Sequence, residues 1–143
     1  MKLFGHPIHI MLIHFPSALF PMDLICSFLA VYYDITFTSA SFYAMMGGTV
    51  IGWLAVITGC FDLINISQTR PELIKKVLLH GGINTVVLVI YSLLAYLAFK
   101  KYPQILPDDL AKLIIKISTV SFMFIANYLG GNLILKNKVG IEK

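Results

Sequence analysis

The residues of this 143-residue sequence best equipped for chemistry are its four histidines, His6, His9, His14 and His80. A neutral imidazole offers one nitrogen lone pair to a metal or a haem iron, and its second nitrogen carries an N–H that needs a partner of its own. Asp62, Asn84 and Asn127 are the carboxylate and amides that a simple bundle places near the depth of these rings, and such groups orient ligating histidines. Asn84 follows His80 by four residues, so both point from one face of a helix. Cys26 and Cys60 lie inside apolar segments, outside any CxxC or Cys-His spacing, and read as packing residues. No P-loop, GxSxG, HExxH or Rossmann pattern is present, so a soluble-type enzyme has no foothold and no catalytic residue can be named.

Four apolar segments must position these side chains. Hydrophobic residues make up 58% of the chain and charged residues 13%, and the mean hydropathy is +0.84, outside the range of a water-soluble domain. A span needs about 20 mainly apolar residues. The pattern predicts helix one over about 8–33, helix two over 39–64, helix three over 77–99 and helix four over 110–135. The connections between them are short, which predicts an all-α, up-down-up-down four-helix transmembrane bundle, one integral membrane domain over 1–143. Pro16 and Pro21 fall inside helix one and predict a kink there. The N-terminus lacks an h-region followed by a small-residue cleavage site, so the first span is expected to stay in the membrane.

Charge sets the expected orientation. Lys2, Arg70, Lys75, Lys76, Lys136, Lys138 and Lys143 lie on the side of the termini and the second loop, against Lys100, Lys101, Lys112 and, deeper, Lys116 on the other side. The positive-inside rule then places both termini in the cytoplasm, with Tyr32, Tyr33, Tyr43, Tyr96 and Tyr102 as an aromatic belt at the far interface. The net charge of +4 comes from span ends and loops, without aromatic-flanked basic runs, so no nucleic-acid partner is expected. The partner is the lipid bilayer, and the expected location is a bacterial inner (cytoplasmic) membrane.

Folding the bundle brings His14, His80, Asp62 and Asn127 within roughly 3 to 12 Å of one interface by helical rise, one from each helix. Gly59, Gly81, Gly82, Gly130 and Gly131 cluster at similar depth and remove side-chain bulk. Three readings follow. In the first, His14 and His80, from diagonal helices one and three, hold a b-type haem, with Asp62, Asn84 and Asn127 around it and Arg70, Lys75 or Lys76 facing its propionates. In the second, His6, His9, His14, His80 and Asp62 hold Zn, Fe or Cu. In the third, the polar layer only fixes packing or binds protons, in an accessory or transport subunit without a cofactor. At the other end Asp23 and Lys116 are isolated intramembrane charges, roughly 15 and 9 Å from the far interface by helical rise, which makes an ion pair one reading and separate, snorkelling or protonated groups the other. Gly48-x-x-x-Gly52 permits close helix approach.

Gly5-His6-Pro7-Ile8-His9, then His14-Phe15-Pro16, then Tyr128-Leu129-Gly130-Gly131 carry a resemblance. The chain resembles a bacterial family of small predicted membrane proteins catalogued as domain of unknown function twenty-two thirty-one, over nearly its whole length and including Asp62 and His80. Ile10 stands where the family usually has a second proline, and Asn132 where it often has glutamate, so helix four brings no carboxylate at that position. Some members are joined to iron-sulfur or cytochrome modules, and the resemblance therefore implies a redox setting; a redox partner protein and a homo-oligomer are the candidate protein partners, and the sequence does not fix the oligomeric state.

Overall fold

The computed structural model describes residues 2–3 and 6–137, with side chains from residue 8 onward. After a two-residue antiparallel pairing of Lys2–Leu3 with His6–Pro7, every element is helical: α1 (Ile8–Leu12), α2 (His14–Tyr32), α3 (Phe37–Thr69), a 3-10 turn (Pro71–Leu73), α4 (Ile74–Phe99) and α5 (Leu110–Leu135). The helices form four segments long and apolar enough to cross a membrane, with α1 and α2 together making the first. The fold is the expected four-helix bundle. Helix α3 packs against α2 and α4, and α5 against α4 and α2, so the first and third spans lie on a diagonal.

The first span breaks at Ile13, ahead of both prolines, and Pro21 is carried inside α2. Pro16 explains the position. Its ring clashes with the carbonyl four residues earlier, at Leu12, and it has no N–H to give that carbonyl, so the helix ends there and restarts. Helix α3 runs five residues beyond the expected end at Ile64. At 1.5 Å per residue it is about 50 Å long, more than the roughly 30 Å hydrocarbon core, and its last turns lie at the end of the bundle that holds Asn137. There Arg70 Nη1 donates to the Asn137 carbonyl at 2.6 Å, tying the second connection to the end of α5.

Phe20, Phe42, Met45, Val87, Leu88, Tyr91, Val120 and Met123 form the core. Gly48 lets α2 and α3 meet, since a Cβ there would fall 2.6 Å from the Phe20 ring. Trp53 Nε1 donates to Ser92 Oγ at 2.9 Å between α3 and α4. Outward-facing Ile25, Val50, Leu93 and Ile114 are exposed to at least half of their area, an apolar girdle that only lipid solvates without cost. Two carboxylates outside the spans hold helix starts. Asp34 is kept below the usual carboxylate range by hydrogen bonds from the Thr36 hydroxyl and backbone N–H. Asp109 caps α5, and the Lys112 N–H, 2.9 Å away, lowers it likewise.

Candidate functional site

Among the described residues the histidines that face inward are His9 and His80, and the backbone holds them in the same way. His9 Nδ1 lies 2.8 Å from the Ala55 carbonyl, and His80 Nδ1 lies 2.8 Å from the Ala126 carbonyl. A carbonyl oxygen can only accept, so in each ring Nδ1 carries the proton and the lone pair of the neutral imidazole is on Nε2. One turn beyond each alanine is a glycine against which the ring packs. A Cβ at Gly59 would come within 3.0 Å of His9 Cε1, and one at Gly130 within 2.6 Å of His80 Cε1. Both hydrogen bonds span 46 residues. An offset of 71 residues carries His9 to His80, Ala55 to Ala126, Gly59 to Gly130 and Phe20 to Tyr91. The α1–α2–α3 half and the α4–α5 half therefore place one imidazole each at the same depth, from diagonal spans.

Between them lies a cavity of about 420 Å³, lined by both histidines, Ser17, Asn84, Asn127, Thr85 and mainly apolar side chains. Phe20 closes its inner end, and Gly81 and Gly82 open its wall, with nothing within 4 Å of where their side chains would be. Asn127 Nδ2 donates to Ser17 Oγ at 3.1 Å, and Asn84 Nδ2 to the His80 carbonyl at 3.1 Å. A smaller cavity of about 120 Å³ lies beside it, lined by His9, His80, Asp62 and Asn65.

The model of the family described as predicted membrane protein (DUF2231) matches residues 5–143. The chain belongs to this family. No curated protein and no solved structure matches it.

Sequence reasoning paired His14 with His80. In this DUF2231 protein the structure does not bring them together: His14 is exposed, and its Nδ1 donates to the Ile10 carbonyl of its own span at 2.7 Å. His9 and His14 are five residues apart and so on different faces, and the break at Ile13 leaves His9 as the one turned inward. Asp62, Asn84 and Asn127 do reach the cavities. The His6 side chain lies outside the described residues. Among the described residues no three His, Cys, Asp or Glu side chains converge as a metal-binding group. The His, Ala and Gly that recur at the 71-residue offset stand out only once the two histidine–carbonyl hydrogen bonds pick those positions, so the sequence alone carried no signal for His9.

The opposite end of this DUF2231 bundle holds the second polar group. Asp23 and Lys116 are an ion pair, with Nζ 2.7 Å from Oδ1, and both are buried. Three residues not foreseen as partners complete it: Asp108 from the α4–α5 connection, 2.7 Å from Nζ, and the hydroxyls of Ser27 and Ser41.

Proposed function

We propose that this membrane protein holds a planar redox cofactor, b-type haem, in the large cavity, with Nε2 of His9 and His80 as the two ligands. The observation that carries the reading is the matched pair of Nδ1–carbonyl bonds, which fix both tautomers with Nε2 free. The residues suit the group in three further ways. The cavity volume lies in the range of about 300–1,000 Å³ that small-molecule and cofactor sites occupy. The open wall at Gly81 and Gly82 leaves room for a flat ring, and exposed Lys75 and Lys76, one turn before His80, offer positive charge to acidic substituents. When bound, such a group supplies one-electron transfer. The chain itself orients the rings, excludes water with Phe20 and Leu88, and presents Asn84 and Asn127 at the edge. A redox partner protein would exchange electrons at the end that carries these lysines.

The test is an absorbance spectrum with haem and metal analysis of protein made with both in excess. A Soret band lost in His9→Ala and His80→Ala and kept in His14→Ala supports the proposal. Bound zinc, iron or copper without haem selects a non-haem site beside Asp62, and neither selects an accessory or transport role. We further propose a bacterial cytoplasmic membrane with both termini inside, on the Lys and Arg asymmetry. In a background without Cys26 and Cys60, a cysteine at Asn137 should resist external labelling while one at Gln104 reacts, and the reverse pattern inverts the orientation.

A further inference from the structure

The charge cluster at the far end stands independently of the histidine cavity. Lys116 Nζ has four neighbours: Asp23 Oδ1 and Asp108 Oδ2, each at 2.7 Å, Ser27 Oγ at 2.8 Å and Ser41 Oγ at 3.4 Å. An ammonium has three protons and one positive charge. Two carboxylates therefore share one cation. Asp23 is 0% exposed and Lys116 1%, so water reaches neither, and of the three only Asp108, with its side chain 17% exposed, meets solvent. Lys112, the next cation, is 4.0 Å from Asp108 and closer, at 3.2 Å, to Asp109.

The oxygens show where the missing charge belongs. Asp23 Oδ1 accepts from Lys116 and from Ser41 Oγ at 2.6 Å, and Asp108 Oδ2 accepts from Lys116 and from Ser27 Oγ at 3.0 Å. Asp23 Oδ2 is fully buried and has no hydrogen-bond partner. A bare carboxylate oxygen in such a place is an acceptor without a donor, which is costly, whereas the same oxygen carrying a proton is a donor. The hydroxyl of Tyr91, itself 0% exposed, stands beside the Asp23 carboxyl and is otherwise directed to the Phe20 carbonyl at 3.5 Å. It can turn to donate to an ionised Oδ2 only by leaving the Phe20 carbonyl, whereas it can accept from a protonated Oδ2 while still donating there. Cys26 on α2, Ser41 on α3, Tyr91 on α4, Lys116 on α5, and Asp108 with Lys112 behind it are the groups facing Asp23.

A way in exists from the α4–α5 connection. A void of about 20 Å³ is lined by Ser27, Thr38, Ser41, Asp108 and Lys116, and the buried Thr38 Oγ1 there has no partner. That is room for one water, with several polar groups to hold it. The side chain of Asp108 is 17% exposed and links the void to the surface.

We propose that Asp23, Asp108 and Lys116 form a proton-binding site, which takes one proton onto Asp23 through Asp108 and the hydrated void. The ammonium already fills the position between the carboxylates, so the ligand is a proton rather than a metal cation. Ionised, the cluster has a net charge of −1, and protonated it is neutral.

Infrared difference spectroscopy on the full-length protein in lipid nanodiscs, titrated with pH in H2O and D2O, tests this. The expected result is a protonated-carboxyl carbonyl band that titrates, shifts in D2O and disappears in Asp23→Asn. Tyr91→Phe removes the acceptor but keeps the ring, and should move the band even if Asp23→Asn fails to fold. Absence of a titrating carboxyl band in the wild type overturns the proposal. So does a band that Tyr91→Phe leaves unmoved, or one that Asp23→Asn retains. A band replaced by sodium-dependent changes at constant pH overturns it in favour of a cation site.

Discussion

Phe20 and Tyr91 stack face to face, with ring centroids 3.7 Å apart and planes 6° from parallel. Phe20 looks onto the histidine cavity, and the Tyr91 hydroxyl stands at the charge cluster. The pair is the partition between the two polar ends of the bundle, and both rings are almost completely buried. Phe20→Ala should cost about 3–5 kcal/mol in unfolding free energy, as for other buried aromatic truncations. A loss within about 0.5 kcal/mol, the range of surface changes, would show that the stack is not packed as described.

The glycines behind the histidines give a graded expectation. Gly130→Ala puts a Cβ 2.6 Å from His80 Cε1 and should displace the ring and abolish ligand retention. Gly59→Ala, at 3.0 Å from His9, should weaken it less. Gly81→Ala meets nothing within 4 Å, so it should leave thermal stability of the ligand-free protein unchanged. Equal retention in all three variants, measured by ligand content after purification, would mean that neither ring position matters.

Removing the cation of the buried pair, by Lys116→Met, should cost about 3–5 kcal/mol, because it strands the Asp23 carboxylate, whereas Asp23→Asn should cost less, because Lys116 keeps Asp108 at 2.7 Å. Removing both should recover much of that loss. Chemical unfolding of the two single variants and the double variant decides the point. A double variant no better than the worse single one would mean that Asp23 and Lys116 are not coupled.

At the start of α5 the sign of the pH effect is fixed by Asp109. Its folded-state value is lowered by the hydrogen bond from the Lys112 N–H, so its contribution is present above the ordinary carboxylate value and is lost as pH falls through the lowered one. Amide exchange at Lys112 and Leu113, corrected for intrinsic rate, should therefore accelerate at acidic pH, and in Asp109→Ala at neutral pH as well. Protection unchanged by either would mean the cap is not formed.

The spans were readable because lipid demands long uncharged segments, and Asp23 and Lys116 stood out as lone charges in one half of the membrane, but pairing and separate groups stayed equal readings until the structure put them 2.7 Å apart. The helix faces were not. In a soluble bundle an apolar stripe marks the inward face, but these helices are apolar all round, so their sequence does not say which residues look inward. The break at Ile13 then decided between His9 and His14, and a proline's effect on the carbonyl four residues before it set that break. Asp108 was hidden for another reason: it belongs to a connection, and its entry into the core depends on where the chain before α5 turns back.

The recurrence at 71 residues has a consequence for ancestry. A two-helix hairpin has both ends on one side of a membrane, so two copies of one gene can be fused end to end without inverting either. A chain with His, Ala and Gly in register in both halves has the form of such a fused homodimer, whose symmetry axis passes between His9 and His80. Halves expressed as separate chains, divided at Arg70, should then reassociate, and failure to co-purify would argue against that origin. The other end has diverged: the counterpart of Asp23 is Leu94 and that of Lys116 is Met45. The molecule is thus twofold around its histidines and one-sided at its charges.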